Sequence, residues 1–402
     1  MTDSNFKYVQ VFSNTGHALS HLFMMIYPTV VIALEVELAA PYHVLISLML
    51  VGNILFGAAA LPAGYLGDKW GAIKLMIIFF LGTGFSSILV GLSNSEIQIA
   101  AAFALVGLFG SIYHPVGIAW IARIIKKRGR ALGINGVFGS LGMGLAPIMA
   151  GFLTDVWTWR AAFILPGVFS VAVGIVLLIC FVKGVIRELE STKDQEAVEA
   201  TGSEMKRGIL LLLITVACTG IIYQATSFVL PKLIEIRLSE HLGDGLVGVG
   251  ALVSVIYFLS GGMQLAGGWL ADKFHLKSVY LLCWLCQVPL LVGAAFLNTT
   301  LLLPVLAVMV VANTIGSPAE NSLFAKYSPP KWRSTAFGVK FVLALGVAAM
   351  AVPLVSWTYK LVGEFTWLLI ILAAIAGCAV VFSSLLPAKK SDREHELADT
   401  VS

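Results

Sequence analysis

The feature that most constrains this chain is a series of long apolar runs that are almost free of charged residues. Segments such as 75–92 and 367–386 are continuously apolar. Each is long enough to cross a bilayer as a helix, which takes about 20 apolar residues. Transmembrane β-strands are shorter and alternate polar with apolar residues. The runs therefore predict an all-α integral membrane protein.

Composition supports the same conclusion, because a soluble chain of 402 residues needs charged residues to cover its surface. Charged residues make up 12% of the sequence and hydrophobic residues 58%, with a mean hydropathy of +0.92. Soluble domains carry about 25% charged residues. These values exclude a soluble enzyme, a disordered protein and a nucleic-acid-binding protein. The lipid bilayer is the expected partner of most of the surface, and the net charge of +4 is attributed to basic loops.

Charged residues and Gly or Pro breaks divide the apolar runs into two sets of six predicted transmembrane helices. The first set covers 10–35, 43–66, 73–92, 96–123, 130–154 and 161–182, and the second covers 209–235, 245–270, 277–296, 298–325, 334–359 and 364–386. The charged stretch between them predicts a solvated, partly helical linker. We thus expect an N-terminal six-helix bundle at 1–182, a linker at 183–208, a C-terminal six-helix bundle at 209–386 and a tail at 387–402.

Lysine and arginine are distributed unevenly between the two sets of short loops. The loops after spans 2, 4, 8 and 10 carry twelve basic residues, whereas the opposite loops carry four, namely Arg160, Lys232, Arg237 and Lys360. Basic loops remain in the cytoplasm, so we expect a multi-pass protein of the inner membrane with both termini inside. The twelve are Lys69, Lys74, Arg123, Lys126, Lys127, Arg128, Arg130, Lys273, Lys277, Lys326, Lys331 and Arg333.

The two halves of the sequence repeat each other. The stretch Gly64-Tyr-Leu-Gly-Asp68-Lys69 after span 2 matches Gly268-Trp-Leu-Ala-Asp272-Lys273 after span 8, at an offset of 204 residues. Pro28 in span 1 matches Pro231 in span 7 at a similar offset. A near-constant offset predicts two pseudo-symmetric six-helix units. Parallel halves of this kind, related by an axis along the membrane normal, are typical of one class of secondary transporter.

The stretch 64–74 resembles the signature between spans 2 and 3 of the major facilitator superfamily. Gly64, Leu66, Asp68, Lys69, Gly71 and Lys74 fit that pattern, and Ala72 replaces a usual arginine. Glycine permits close helix contact, and a carboxylate can dock on a helix N-terminus or a basic side chain. The resemblance implies a cytoplasmic gate formed by Gly64, Asp68, Lys69, Gly71, Gly268, Asp272 and Lys273. The alternative is that these charges only set the topology.

A second motif lies in span 5, where a glycine run around a proline resembles the superfamily's antiporter motif. Its residues are Gly142, Gly144, Pro147 and Gly151, with Ala146 and Ala150 at positions where glycine is common. The resemblance implies proton-driven export. The alternative is tight helix packing alone, because small residues let helices approach closely.

Two further segments resemble the fosmidomycin-resistance-like exporters within that superfamily. They are Leu19-Ser20-His21-Leu22 with Tyr27-Pro28 in span 1, and Gly110-Ser111-Ile-Tyr113-His114-Pro115 with Ala122-Arg123 in span 4. Where that group carries acidic residues, this chain has Phe23-Met24-Met25 and Val116. The resemblance implies a twelve-helix exporter of small molecules.

Ionisable and polar residues inside the predicted spans are candidates for a substrate and proton pathway, because in lipid they need a cavity or a partner. His17 and His21 lie on one face of span 1, and aligning Gly110 with Gly316 places His114 opposite Glu320. Histidine and buried carboxylates can exchange protons near neutral pH. The predicted pathway comprises His17, His21, Tyr113, His114, Asn135, Tyr223, Gln224, Glu320 and Lys340.

Three roles for Lys340 remain open. It can neutralise an anionic substrate, pair with Glu320, or extend to the cytoplasmic surface. Asn135 is its approximate partner in the repeat. Phe103 stands where many proton-coupled members of the superfamily carry an arginine, so any coupled proton must be carried by the histidines and Glu320.

Other chemistries lack the residues that they need. No Walker-type nucleotide loop appears, so neither direct ATP drive nor a cofactor is expected. No cysteine or carboxylate lies near His17 and His21 in the sequence to complete a metal site, so no metal is expected. The five cysteines fall in apolar runs and are expected to be reduced packing residues. No catalytic residues are predicted, and the chain is not expected to be an enzyme.

The favoured hypothesis is a secondary active transporter that exports a small organic molecule in exchange for protons by alternating access, working as a monomer. The alternative is a proton-coupled importer in which Lys340 and His21 bind an organic anion. A non-transporting membrane sensor is a third hypothesis. It fits less well, because the 16 residues after Leu386 leave no room for an output domain.

Overall fold

The computed structural model describes residues 3–124, 128–188, 202–243, 245–328 and 339–387. These residues form helices, and no strand occurs among them. Eleven helices are long and apolar enough to cross a membrane, and the bent pair Tyr42–Ala58 and Ala60–Trp70 supplies a twelfth span. The predicted all-α architecture with twelve transmembrane helices is confirmed.

In the N-terminal half, several spans are built from more than one helix. Span 1 comprises Asp3–Met25 and Tyr27–Glu37, and span 2 comprises Tyr42–Ser47, Leu50–Ala58 and Ala60–Trp70. Span 4 comprises Glu96–Gly110, a π-helical turn at Tyr113–Gly117, and Ile118–Ile124. Spans 3, 5 and 6 are the single helices Ala72–Leu92, Arg128–Val156 and Trp159–Val182.

In the C-terminal half, spans 7 to 10 are the helices Gly202–Leu238, Val247–Lys273, Leu276–Phe296 and Leu302–Tyr327. A short 3₁₀ turn, Ser239–His241, follows span 7. Span 11 is described from Val339 and comprises a π-helical turn at Val342–Gly346, a 3₁₀ turn at Val347–Met350, and the helix Ala351–Val362. Span 12 is Thr366–Ser384.

The predicted boundaries differ most from the structure at the starts of spans 1 and 7, each of which begins seven residues earlier than predicted. Span 7 is the case that changes the linker. Its helix begins at Gly202 rather than at 209, so the last residues of the predicted linker are helical. Charged residues such as Lys206 and Arg207 are good helix formers, and the helix therefore continues past the apolar run. Predicted features at Lys126, Lys127, 189–201, Lys331, Arg333 and 388–402 lie outside the described residues.

The outer surface of the bundle is apolar. Phe85, Phe169 and Leu282 lie within spans and are each more than half exposed. A soluble protein rarely shows large contiguous apolar patches, whereas a bilayer solvates such side chains. Lipid is therefore the solvent of this surface, as the composition indicates.

Successive spans run in opposite directions, so the loops lie at two ends of the bundle. We call the end with the loops after spans 2, 4, 8 and 10 the even-loop end, and the other the odd-loop end. Across the two halves, span 5 packs against span 8, span 2 against span 11, and span 1 against span 7. Both ends of the bundle are therefore built by residues of both halves.

An ion cluster joins the halves at the odd-loop end. Lys232 of span 7 lies with its Nζ 2.6 Å from Oε2 of Glu35 in span 1 and 3.0 Å from Oε2 of Glu235. The lysine side chain is largely buried, at 10% exposure. We call these three residues the odd-end ion triad. Since Glu35 and Lys232 belong to different halves, their attraction joins the two halves at this end of the bundle.

A second contact at the same end connects span 5 to the start of span 8. The carboxylate of Asp155 accepts hydrogen bonds from the backbone N–H groups of Leu246 (2.9 Å) and Val247 (2.7 Å). The first N–H groups of a helix lack partners within it, and the positive end of the helix dipole favours a negative charge there. Asp155 thus fastens the C-terminal half to the N-terminal half at the odd-loop end.

Candidate functional site

A cavity of about 320 Å³ lies between the two halves and is lined by residues of both. Five of the predicted pathway residues line it, namely His17, His21, Tyr223, Glu320 and Lys340. The other four, Tyr113, His114, Asn135 and Gln224, are buried in the protein behind that lining. The predicted residues thus lie at or next to one central site.

A buried ion pair forms part of the cavity wall in the C-terminal half. Oε1 of Glu320 lies 2.9 Å from Nζ of Lys340, and each side chain is only 7% exposed. Oε2 of Glu320 accepts hydrogen bonds from the hydroxyls of Thr219 (3.0 Å) and Tyr280 (2.9 Å). Lys340 also donates to the side-chain oxygen of Asn321. Of the three roles considered for Lys340, this geometry corresponds to pairing with Glu320.

The N-terminal half carries an uncharged network at the corresponding positions. The side chain of Asn135 accepts a hydrogen bond from the hydroxyl of Tyr113 (3.0 Å) and donates one to Asn14 (3.1 Å). Asn14 also accepts one from Gln10 (2.8 Å). Because the repeat relates Asn135 to Lys340, the two halves carry a neutral and a charged polar cluster at positions related by the repeat.

Three histidines meet beside the cavity. The ring centroids of His17, His21 and His114 are separated by 5.0, 5.2 and 5.5 Å, and one ring nitrogen from each lies within 4.8 Å of the others. The sequence shows no cysteine or carboxylate near His17 and His21, and in the structure His114 of span 4 lies beside them as a third imidazole. Span 4 is distant in the sequence and packs against span 1 only in the folded bundle, so the sequence could not indicate this proximity.

The histidine cluster and the Glu320–Lys340 pair each lie beside a π-helical turn. His114 and Pro115 belong to the turn Tyr113–Gly117, and Lys340 precedes the turn Val342–Gly346 by two residues. Proline lacks a backbone N–H and cannot continue the regular helix ladder. π-helical turns are frequent at functional sites because they reorient side chains.

The antiporter-like motif packs span 5 tightly against two neighbours. A Cβ on Gly142 would lie 2.0 Å from the carbonyl oxygen of Ala18 in span 1, and one on Gly144 would lie 2.4 Å from the ring of Phe258 in span 8. A Cβ on Gly151 would lie 2.5 Å from the carbonyl oxygen of Leu246. Pro147 contacts span 8 as well, since its carbonyl oxygen would be 2.3 Å from a Cβ on Gly250. The motif therefore packs span 5 against span 1 in its own half and against span 8 of the other half.

We expect Gly142→Ala to lower the midpoint of thermal unfolding in detergent. The added methyl group meets backbone rather than a flexible side chain, and overpacking of this kind costs about 1–3 kcal/mol. Gly133→Ala is the matched control in the same helix, because a Cβ there meets nothing within 4 Å in the described part of the chain. An equal midpoint for the two variants would contradict the close contact of spans 1 and 5.

The first copy of the predicted gate lies at the even-loop end. Asp68 and Lys69 are exposed, and Gly71 has φ +96°, which favours glycine. A Cβ on Gly64 would lie 3.3 Å from Pro115, so span 2 packs closely on the π-helical turn of span 4. Glu188, which the sequence analysis did not select, accepts a 2.6 Å hydrogen bond from the backbone N–H of residue 73 at the start of span 3.

The second copy of the predicted gate lies at the same end. Asp272 and Lys273 are exposed, and Gly268 has open space around it among the described residues. The ammonium group of Lys273 lies 4.8 Å from the ring centroid of Trp269, a cation–π contact. The two copies therefore differ in their local packing although they share a sequence pattern.

Sequence reasoning missed several polar residues that complete the site. Thr219 and Tyr280 bind the Glu320 carboxylate, Asn321 binds Lys340, and Gln264 and Gln287 line the cavity. The signal that would have found some of them is polarity inside a span, since amides in lipid need partners. Thr and Tyr give little signal because both are common in transmembrane helices.

Two six-helix halves that enclose a central cavity with a buried ion pair in its wall, within a lipid-facing bundle, define a membrane transporter and not an enzyme. The family model of the Major Facilitator Superfamily matches residues 15–353 and 237–399. The chain belongs to this superfamily, as the motif in 64–74 indicates.

Known relatives and structures agree with that assignment. The Na(+), Li(+), K(+)/H(+) antiporter of Planococcus maritimus is 25% identical over 368 residues, which cover 82% of this chain and 84% of the antiporter. Multidrug resistance protein MdtG of Yersinia enterocolitica is 28% identical over 312 residues, covering 73% and 70%. The crystal structure of a bacterial homologue of the human lysosomal transporter Spinster, in an inward-facing and unoccupied conformation, matches with a TM-score of 0.70 at 12% identity, covering 96% and 95%. That similarity shows the fold.

Proposed function

We propose that this transporter exports a small organic molecule in exchange for protons across the cytoplasmic membrane, as a monomer with both termini in the cytoplasm. The observation that carries the proposal is the buried Glu320–Lys340 pair on the wall of the central cavity. A carboxylate in this position can take up and release a proton within reach of a bound molecule.

The net charge of the cavity couples protonation of Glu320 to binding of the transported molecule. Among the described residues that line the cavity, Glu320 and Lys340 are the only ones with a full charge when the histidines are neutral. The intact pair leaves the cavity neutral, and protonation of Glu320 leaves the single positive charge of Lys340. A cationic molecule is repelled by that charge and therefore binds better to the deprotonated state. Proton and cargo then exclude each other, which is the requirement for exchange.

The same argument weighs against import of an organic anion. An anion needs a free positive charge in the cavity, and the ammonium group of Lys340 lies 2.9 Å from the Glu320 carboxylate. Anion import would use the protonated state and would move proton and substrate in the same direction. The two functions thus differ in the charge of the preferred substrate as well as in direction.

Similarity to known proteins supports export. One relative is named as a cation/proton antiporter and another as a multidrug resistance protein. The segments around His21 and His114 resemble the fosmidomycin-resistance-like exporters, and we propose that this chain belongs to that group. We further propose that the exposed helix ends with Asp68 and Asp272 form the gate at the even-loop end. The odd-end ion triad and Asp155 would close the opposite end.

The test is to record currents from proteoliposomes on a solid-supported membrane, together with the lumenal pH reported by a trapped dye, while pools of cationic, neutral and anionic compounds are added. We expect a cationic compound to evoke proton movement that reverses when the imposed pH gradient is reversed. The dye is needed because exchange of one monovalent cation for one proton carries no net charge. Glu320→Gln should abolish the pH dependence because an amide cannot release the proton. Glu240→Gln, an exposed carboxylate in the loop after span 7, is the matched control and should behave as the unmodified protein.

His114→Ala separates the contribution of the histidines from that of Glu320. Loss of pH dependence in Glu320→Gln but not in His114→Ala would assign the proton to the carboxylate. A compound-dependent current that ignores the pH gradient, and that Glu320→Gln leaves unchanged, would refute proton coupling. Transport of anions alone, with protons moving in the same direction as the anion, would establish the importer instead.

A further inference from the structure

The cluster of His17, His21 and His114 has properties that proton-coupled export does not explain. Its three imidazoles form a nearly equilateral triangle with centroid separations of 5.0 to 5.5 Å. His17 and His21 also line the cavity. His114, the third member, comes from span 4 and is buried, with 8% of its surface exposed. The group therefore lies at the boundary between a water-accessible space and the protein interior.

The hydrogen-bonding of His17 fixes which of its nitrogens has a free lone pair. Its Nδ1 lies 2.8 Å from the backbone carbonyl oxygen of Asn135. A carbonyl only accepts hydrogen bonds, so Nδ1 must carry the proton, and Nε2 keeps its lone pair. Histidines that bind metals commonly donate their other N–H to a backbone carbonyl in this way, which sets the tautomer and orients the ring.

Span 5 leaves space for this ring. A Cβ on Gly139 would lie 2.6 Å from Nε2 of His17 and 2.7 Å from its Cε1. Any larger residue at position 139 would displace the imidazole. The ring of His17 is thus fixed by its hydrogen bond to Asn135, and it fits against span 5 because Gly139 has no side chain.

His114 contributes a buried nitrogen without a partner. Its Nδ1 has no hydrogen bond among the described residues and is inaccessible to solvent. A buried polar atom left unsatisfied costs about 1–3 kcal/mol, and most such atoms in proteins have a partner. A ligand that accepts a nitrogen lone pair would satisfy it.

We propose that His17, His21 and His114 bind one divalent transition-metal ion of the Zn²⁺, Ni²⁺ or Co²⁺ class, with the remaining coordination position facing the cavity. Neutral imidazole nitrogen is a preferred ligand of these metals, whereas Mg²⁺ and Ca²⁺ require oxygen ligands. One ring nitrogen of each histidine lies within 4.8 Å of the other two. Metal–nitrogen bonds of about 2.0–2.1 Å require these three nitrogens to come closer together. Metal binding therefore includes a movement of these side chains toward one another.

The test uses the full-length protein in detergent, without a polyhistidine tag and stripped of metal with a chelator. Co²⁺ is titrated while its visible absorption and the heat of binding are recorded, and Zn²⁺ is then added in competition. We expect one ion per chain, with the absorption bands of a low-symmetry nitrogen site that disappear when Zn²⁺ displaces Co²⁺. Bound Zn²⁺ should also raise the midpoint of thermal unfolding, because a ligand of the folded state stabilises it.

Substitutions of the three histidines test whether each of them binds the metal ion. His17→Ala, His21→Ala and His114→Ala should each weaken Co²⁺ binding by at least about tenfold, and Gly139→Ala should weaken it through displacement of His17. His275→Ala, an exposed histidine in the loop after span 8, is the matched control and should leave binding unchanged. Failure of the unmodified protein to bind one Co²⁺ would overturn the proposal, and so would binding that survives all three cluster variants. None of these readouts depends on transport, so their result is independent of proton-coupled export.

Discussion

Lys340→Met is expected to destabilise the protein severely, by about 3–5 kcal/mol. The substitution removes the ammonium group that lies 2.9 Å from Glu320, and the carboxylate, only 7% exposed, loses its counter-charge. Thr219 and Tyr280 continue to donate hydrogen bonds to the carboxylate, but neither supplies a positive charge. The measurement is the midpoint of thermal unfolding in detergent at constant pH, with the yield of folded protein as a second readout.

The double variant Glu320→Gln/Lys340→Met separates the charge effect from packing. Removing both partners leaves no uncompensated charge, so the double variant should recover most of the stability that the single variant loses. Lys360→Met is the control for loss of a lysine in the same span, because Lys360 is exposed near the end of span 11. If the double variant is no more stable than Lys340→Met, then packing of the lysine stem and not charge pairing accounts for the loss.

The sequence predicted the architecture because spanning a bilayer requires long apolar helices. Each of the twelve expected spans has a counterpart in the structure, and the largest errors are at Asp3 and Gly202, where spans 1 and 7 begin seven residues earlier than predicted. Hydrophobicity marks where the lipid contact ends but not where the helix ends. The break inside span 4 was also not predicted, since a local π-helical turn leaves little trace in a hydropathy pattern.

The candidate site could be predicted only in part, because its geometry depends on contacts between spans far apart in sequence. Polarity inside lipid was sufficient to select Glu320 and the three histidines. It could not indicate that Thr219 and Tyr280 bind the same carboxylate oxygen, or that His114 approaches His17. These contacts arise from the rotation and depth of each helix in the bundle, which side-chain packing determines.

Lys232→Met is expected to open the odd-loop end of the bundle. Glu35 and Glu235 each contact the lysine ammonium group, at 2.6 and 3.0 Å. Without it, two carboxylates face each other with no counter-ion, and the attraction between spans 1 and 7 becomes a repulsion. A loss of about 1.4 kcal/mol from the closed state is enough to raise the open population tenfold. We therefore expect at least that increase.

Spin labels at positions 36 and 239 report this opening, because Val36 and Ser239 are exposed at the odd-loop end in different halves. In a background without native cysteines, Lys232→Met should add a component of longer distance between the labels. Lys232→Arg, which keeps the charge, and Lys360→Met, which removes an exposed lysine at the same end, should leave the distribution unchanged. If Lys232→Met leaves it unchanged as well, then the hydrogen bonds of Asp155 to the start of span 8 are sufficient to hold this end closed, and the odd-end ion triad has no part in gating.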